Sequence, residues 1–156
     1  MTTISVGNYL KLTNPKQTVV YRFQNFHIQQ NATFNGDTYT FVPFGFSGVS
    51  VNRTGDNTEA SLLFPNNQLS RAWALDAIEQ QWIATAFVMS LDPDDRTKGT
   101  KMHEYVGQVS QGEWDETALT LVLNTILDGV GSDVPLRRLT QSLIGNIPVS
   151  SGVRLR

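Results

Sequence analysis

The residues able to carry catalysis or bind a metal are few in this sequence and far apart. His27 and His103 are the only histidines, and neither has a second ligand-type side chain at a spacing typical of a metal site. The chain has no cysteine, so thiolate metal ligands and disulfides are excluded. A serine or threonine nucleophile would need one of the two histidines, and no Gly-x-Ser-x-Gly motif is present. The sequence therefore predicts a protein that is not an enzyme.

The densest group of carboxylates is Asp92, Asp94 and Asp95. Calcium binds several oxygens at short spacing, but this stretch lacks the glycine and the closing glutamate of an EF-hand loop. A solvated turn after a strand is the expected structure, and no metal or cofactor is predicted. Carboxylate pairs suited to glycosidic cleavage converge in space rather than in sequence, so the chain neither supports nor excludes such a pair.

Composition favours an assembled protein. The charged fraction is 17% and the net charge is -2, whereas soluble domains carry about a quarter of charged residues. A surface rich in uncharged polar groups pairs with other proteins at modest desolvation cost. The basic residues form no dense cluster beyond Arg137, Arg138, Arg154 and Arg156, so specific DNA or RNA binding is not expected.

Two further functional classes are disfavoured. No apolar run approaches the roughly 18 residues that span a bilayer, so no membrane partner is predicted. The N-terminus lacks the charged and apolar regions of a signal peptide. We therefore expect synthesis in a cytoplasm without export by the general secretion route.

The first sixty residues are rich in β-branched and aromatic residues, which is typical of strands. A strand is predicted over residues 18–23, with its signal continuing through residues 26–28. The pair Asn35-Gly36, flanked by alternating aromatics, predicts a type I′ hairpin. The proline and glycines of residues 42–51 predict an edge strand or a bend.

One helix is predicted, over about residues 69–81, with Ser70 as its N-cap. A strand at residues 59–64 is predicted before the helix. Three more are predicted after it, at residues 82–91, 101–110 and 117–125, and Gln111-Gly112-Glu113 is expected to connect the last two. Trp73 and Trp82, which bracket the helix, are expected in the core. The fold class is mainly β, a barrel or sandwich with one flanking helix, and residues 1–156 are expected to form one domain.

Long polar loops between strands commonly carry function, so residues 53–57, 92–101 and 129–134 are predicted as contacts between subunits. Trp114 lies between Glu113 and Asp115 near the expected hairpin tip, where it either packs in the core or anchors an interface. The predicted interface residues are Arg53, Asn57, Asp94, Arg96, Trp114 and Asp133.

The order of these features resembles the tail-tip hub domain of the lambda-type minor tail protein L family of siphophages and gene transfer agents. The resemblance covers about residues 20–156. It rests on an aromatic strand at residues 20–28, on residues 60–67 with their Pro/Asn turn, and on a helix and a strand closing at Leu91-Asp92-Pro93. It also rests on three further stretches: Thr33-Phe34-Asn35-Gly36-Asp37-Thr38-Tyr39, Pro43-Phe44-Gly45-Phe46-Ser47-Gly48 and Pro135-Leu136-Arg137-Arg138-Leu139 through Pro148. The family's cysteine-rich iron–sulfur extension is missing, so no cluster is expected.

The resemblance implies a structural protein of a bacteriophage tail tip or baseplate, made in the host bacterial cytoplasm. Such a domain forms a three-fold or six-fold ring of copies of itself, which joins the tail tube or distal tail protein to the central hub or spike protein. The ring lines a channel through which DNA passes without specific binding. Two other hypotheses stay open from the residues alone: a monomeric β-sandwich binding module for carbohydrate or peptide, and a small hydrolase using His27 or His103.

Overall fold

The computed structural model describes residues 5–49 and 59–125, which form a mainly β fold with one helix. Its elements in chain order are β1 (Ser5–Thr13), β2 (Val20–Gln24), β3 (Ala32–Phe34), β4 (Asp37–Phe41), β5 (Gly45–Phe46), β6 (Ala60–Pro65), α1 (Gln68–Glu79), β7 (Ile83–Leu91), β8 (Gly99–Trp114) and β9 (Ala118–Thr125). The strands form one mixed sheet in the order β3-β4-β2-β1-β7-β8-β9-β6-β5. The predicted fold class and the predicted helix are confirmed.

Strand β1 lies in the middle of the sheet and has buried side chains on both faces. It pairs antiparallel with β2 and along its whole length with β7. Leu10 and Leu12 enter the main core, whereas Tyr9 enters a second core on the opposite face. The sequence does not predict this strand by itself, because burial on two faces removes the alternation of apolar and polar residues that marks a half-exposed strand.

The sheet curls so that the region of β2, near one end, approaches β6 and the segment before β5, near the other end. Strand β2 pairs in parallel with β4, and the chain then crosses to the other end of the sheet, where β5 pairs with β6. The side-chain amide of Asn25 donates a 3.0 Å hydrogen bond to the carbonyl of Phe44 across this junction. The rings of Phe23 and Phe64 also meet there, with centroids 6.2 Å apart. The curled sheet thus encloses the main core.

Helix α1 packs on this core through Trp73, Ala74 and Ala77. Its N-cap is Asn67, not the predicted Ser70. Asn67 accepts a 2.9 Å hydrogen bond from the backbone N–H of Ser70, while the Ser70 hydroxyl accepts one of 3.0 Å from the N–H of Asn67. Both residue types favour caps, and Ser70 is buried inside the first turn, where it completes the capping box.

The hairpin of β3 and β4 covers the second core. Asn35 and Gly36 have φ of 51° and 83°, as the predicted type I′ turn requires. The hairpin brings Phe34 onto Tyr9, with ring centroids 4.7 Å apart and nearly parallel planes. Phe87 meets Phe34 edge-on. The face of β1 and β7 opposite the main core is therefore covered with aromatic side chains.

Two predicted boundaries are wrong. Strand β2 ends at Gln24, and residues 26–28 lie in bends and a turn. The reason is that the buried Gln24 side chain forms hydrogen bonds with backbone groups of this loop. Residues 111–113 belong to β8 rather than to a connection. Pairing with β9 continues there after a bulge at Ser110, which shifts the register between Val109 and Gln111.

Candidate interaction surfaces around the helix

The predicted interface residues fall into three groups. Arg53, Asn57 and Asp133 lie outside the described residues. Asp94 and Arg96 lie in the exposed loop between β7 and β8. Trp114 ends β8. Because the loop and Trp114 are at opposite ends of this 16-residue strand, the structure does not bring them into one surface.

The loop between β7 and β8 is held by its own carboxylates. Asp92 accepts a 2.9 Å hydrogen bond from the N–H of Asp94. Asp95 accepts from the hydroxyl and the N–H of Thr97 and pairs with Lys98 at 3.1 Å. The Thr97 hydroxyl, the Lys98 ammonium and the Thr97 N–H lower the pKa of Asp95. This is the solvated turn expected from the sequence.

Two negative findings apply to residues 5–49 and 59–125. No cluster of three or more histidine or carboxylate side chains able to hold a metal ion occurs there. Nor does that part of the chain contain a helix with the length and apolar character needed to cross a bilayer. His27 lies in the loop after β2, and His103 lies on β8 opposite Val88.

Trp114 forms an exposed apolar surface with the outer side of α1. Its side chain is 54% exposed and Leu75 is 50% exposed. The two residues line a shallow cavity of about 230 Å³ together with Arg71, Ala74 and Leu119. We call these five residues the Trp114 surface. Tryptophan is enriched among the residues that dominate interface energetics, and the anchor role of Trp114 stays a prediction.

The turn after Trp114 is braced on both sides. The carboxylate of Asp115 accepts 2.7 Å hydrogen bonds from the N–H groups of Thr117 and Ala118. The Ala118 N–H, the Thr117 N–H and the Thr117 hydroxyl together lower the pKa of Asp115. Asn66, just before the helix, donates its side-chain amide to the carbonyl of Asp115. Arg71 donates from Nε to Asn66 at 2.5 Å. These hydrogen bonds therefore hold the turn next to Trp114 in one conformation.

A second and larger concave surface lies on the other flank of α1. We call it the aromatic groove; its volume is about 480 Å³. The residues that line it are Tyr21, Phe23, Phe41, Val42, Pro43, Phe64, Pro65, Asn67, Leu69, Ser70, Ala72, Trp73 and Asp76. Leu69 at its edge is 79% exposed, and Asp76 is the only acidic or basic residue in the lining.

The aromatic groove is not predicted from the sequence. Its aromatic side chains come from β2, β4, β6 and α1, so their proximity depends on the curl of the sheet rather than on local spacing. Their sequence signal is that of core residues, and Phe64 and Trp73 are indeed buried. Leu69 is no local signal either, because its spacing of four residues to Trp73 predicts the core face, whereas Leu69 is 79% exposed.

Comparisons with known proteins find similarity of structure but not of sequence. No family model matches the chain, and no curated protein matches it. The fold is similar to that of a chain in a solved structure described as the virion of a native gene transfer agent particle, with a TM-score of 0.55 and 13% sequence identity. The match covers 83% of this chain and 43% of that chain. At this identity the likeness shows a shared fold, and the resemblance to the lambda-type minor tail protein L family stays a prediction.

Proposed function

We propose that this chain is a structural protein of a phage-like virion. The observation that carries the proposal is the shared fold with a chain of the gene transfer agent virion, which extends over 83% of the present chain. This chain spans less than half of its structural neighbour. It therefore corresponds to one part of that protein, a mainly β body with a flanking helix.

Within the virion, we assign the chain to a ring of identical copies at the tail tip or baseplate. The ring joins the tail tube to the central hub or spike and has neither an enzymatic activity nor a cofactor. Contacts between unlike surfaces of identical subunits close into rings when the rotation between copies is suitable. The Trp114 surface and the aromatic groove are two unlike surfaces that flank the same helix, and each is open to a contact with another copy.

The charge of the described residues suits a channel through which DNA passes. Residues 5–49 and 59–125 contain seven Lys and Arg side chains against eleven Asp and Glu side chains. A protein that holds DNA neutralises phosphates with basic side chains, and its affinity depends on their number. A ring with few basic side chains gives DNA few such contacts, which suits passage of DNA without specific binding.

The experiment that tests this proposal is cryo-electron microscopy of the particle produced by the cells that express the chain. A ring of three or six copies around the tail axis is the expected result. Absence of the chain from the particle contradicts the virion assignment. A single peripheral copy would support the virion assignment and contradict the proposed ring.

The aromatic groove favours a second candidate, a monomeric binding module for carbohydrate or peptide. Aromatic faces stack on sugar rings and on proline side chains, and the groove has the volume of a small-ligand site. The mass of the purified chain in solution separates the candidates, with glycan and peptide arrays as the second measurement. A monomer that binds one ligand class through the groove supports the module and contradicts the ring.

A further inference from the structure

No described residue fills the aromatic groove, although its lining is mostly apolar. Phe64 and Trp73 form its floor, with ring centroids 5.0 Å apart. Tyr21 and Leu69, at 36% and 79% exposure, stand at its edges. A contiguous open surface of aromatic and aliphatic side chains is costly to leave in water and is typical of a protein-binding site.

The charges point to a basic segment. Asp76 lines the groove, and the exposed Glu79 follows it after one helical turn. No Lys or Arg belongs to the lining. Residues 126–156 contain four arginines against two aspartates, which is opposite in sign to the charge of the described residues. Within them, the stretch Val134-Pro135-Leu136-Arg137-Arg138-Leu139 combines apolar residues with two adjacent arginines.

We propose that residues 134–139 of a neighbouring copy dock into the aromatic groove, and this inference rests on the proposed ring. In this arrangement Leu136 and Leu139 pack on the apolar side chains of Phe23, Trp73 and Leu69. Arg137 and Arg138 supply the cation for Asp76. A segment of one copy bound in a groove of the next is a contact between unlike surfaces, which is the kind that closes a ring.

Chain geometry favours the neighbouring copy over the same copy. Strand β9 ends at Thr125, which pairs with Gly107, whereas the groove lies beside Pro65, which pairs with Ala118 at the start of β9. The two ends of this eight-residue strand are about 23 Å apart. Nine residue steps from Thr125 to Val134 span at most about 30–32 Å. Docking in the same copy would use most of that length to retrace β9 and cross β6.

The absence of cysteine from the full chain gives a direct test. In the double variant L69C/L136C, mild oxidation of the self-associated chain is expected to give disulfide-linked dimers and higher species, because a disulfide needs Cα atoms about 4.4–6.8 Å apart. Leu69 is 79% exposed, so its replacement leaves the core intact. The matched control is I28C/L136C, since Ile28 is 63% exposed and lies outside the groove.

Charge reversal gives the second test. Asp76→Lys or Arg137→Glu alone is expected to weaken self-association about fivefold, the size of an exposed ion pair, and the combined reversal is expected to restore it. The matched control is Asp94→Lys, the same charge change in the exposed β7–β8 loop.

Each outcome decides the inference. A link confined within single chains overturns docking on a neighbour, and no link in L69C/L136C, or equal links in both cysteine pairs, overturns docking in the groove. A ring seen in the particle together with an unlinked cysteine pair contradicts this inference alone. Linked chains that are absent from any particle contradict the proposed function instead.

Discussion

Gly112 of β8 lies so close to Ile78 of α1 that a side chain at residue 112 fits only if Ile78 moves. A Cβ atom on Gly112 would stand 2.3 Å from Ile78 Cδ1 and 3.2 Å from its Cγ1. The helix therefore rests against the strand at a point two residues from Trp114, and this close approach fixes the distance between α1 and the end of β8. The Trp114 surface depends on that distance.

Substitution of Gly112 by valine should destabilise the fold by about 2 kcal/mol, the usual cost of overfilling a packed contact. Alanine should cost less, because the terminal methyl of Ile78 can rotate away. Urea unfolding of G112V, I78A and the double variant measures the coupling between the two positions. We expect I78A to rescue part of the G112V loss. The matched control is Gly45→Ala, where the new Cβ meets Leu63 at an ordinary 3.6 Å. Additive losses would show that the two residues do not share the contact.

Trp114→Ala should leave the unfolding free energy almost unchanged and weaken self-association. The side chain is 54% exposed, so little core packing is lost, whereas loss of a tryptophan hot spot costs about 2 kcal/mol of binding, or about 30-fold in affinity. Analytical ultracentrifugation over a concentration series measures the change. The control is Val6→Ala, because Val6 is also 54% exposed but lies on β1. An unchanged association constant would remove the anchor role of Trp114.

Local sequence patterns predict the elements whose structure is decided locally. The Asn35-Gly36 turn and the helix at Gln68–Glu79 belong to this group, since turn chemistry and helical spacing act over a few residues. The choice between Asn67 and Ser70 as N-cap depended on which of them the core buries. The aromatic groove depended on the curl of the sheet, which no local pattern reports. The polar neighbours of Trp114 leave a core position and an interface position both open, and no local signal marks Leu75, which lines the same cavity.

Gln24 should be among the polar residues least tolerant of change. Its side chain is fully buried. The amide donates 2.8 Å hydrogen bonds to the carbonyls of His27 and Gln30. Its oxygen accepts from the N–H groups of Phe26 and His27 at 2.9 and 2.6 Å.

Gln24→Met keeps the volume and removes all four of these bonds, so we expect a loss of about 3 kcal/mol in urea unfolding. Gln30→Met is the control, since the Gln30 side chain is exposed and its backbone carbonyl is retained. A loss below about 0.5 kcal/mol would show that water replaces the Gln24 amide.

Ionised Asp115 should stabilise the fold, so the stability of the protein should fall when the pH drops far enough to protonate this carboxylate. The Ala118 N–H, the Thr117 N–H and the Thr117 hydroxyl lower its pKa below the ordinary value of 3.8. A carboxylate whose pKa is lower in the folded state stabilises that state above the unfolded pKa, and this contribution disappears as the pH falls through the folded pKa. In thermal unfolding followed by circular dichroism, the wild type should have a higher Tm than Asp115→Asn at neutral pH. The difference in Tm should disappear below pH 3.8. Glu116→Gln, in the same exposed turn, is the control for a general loss of charge. A gap that stays constant with pH would mean that the Asp115 hydrogen bonds do not depend on its ionisation.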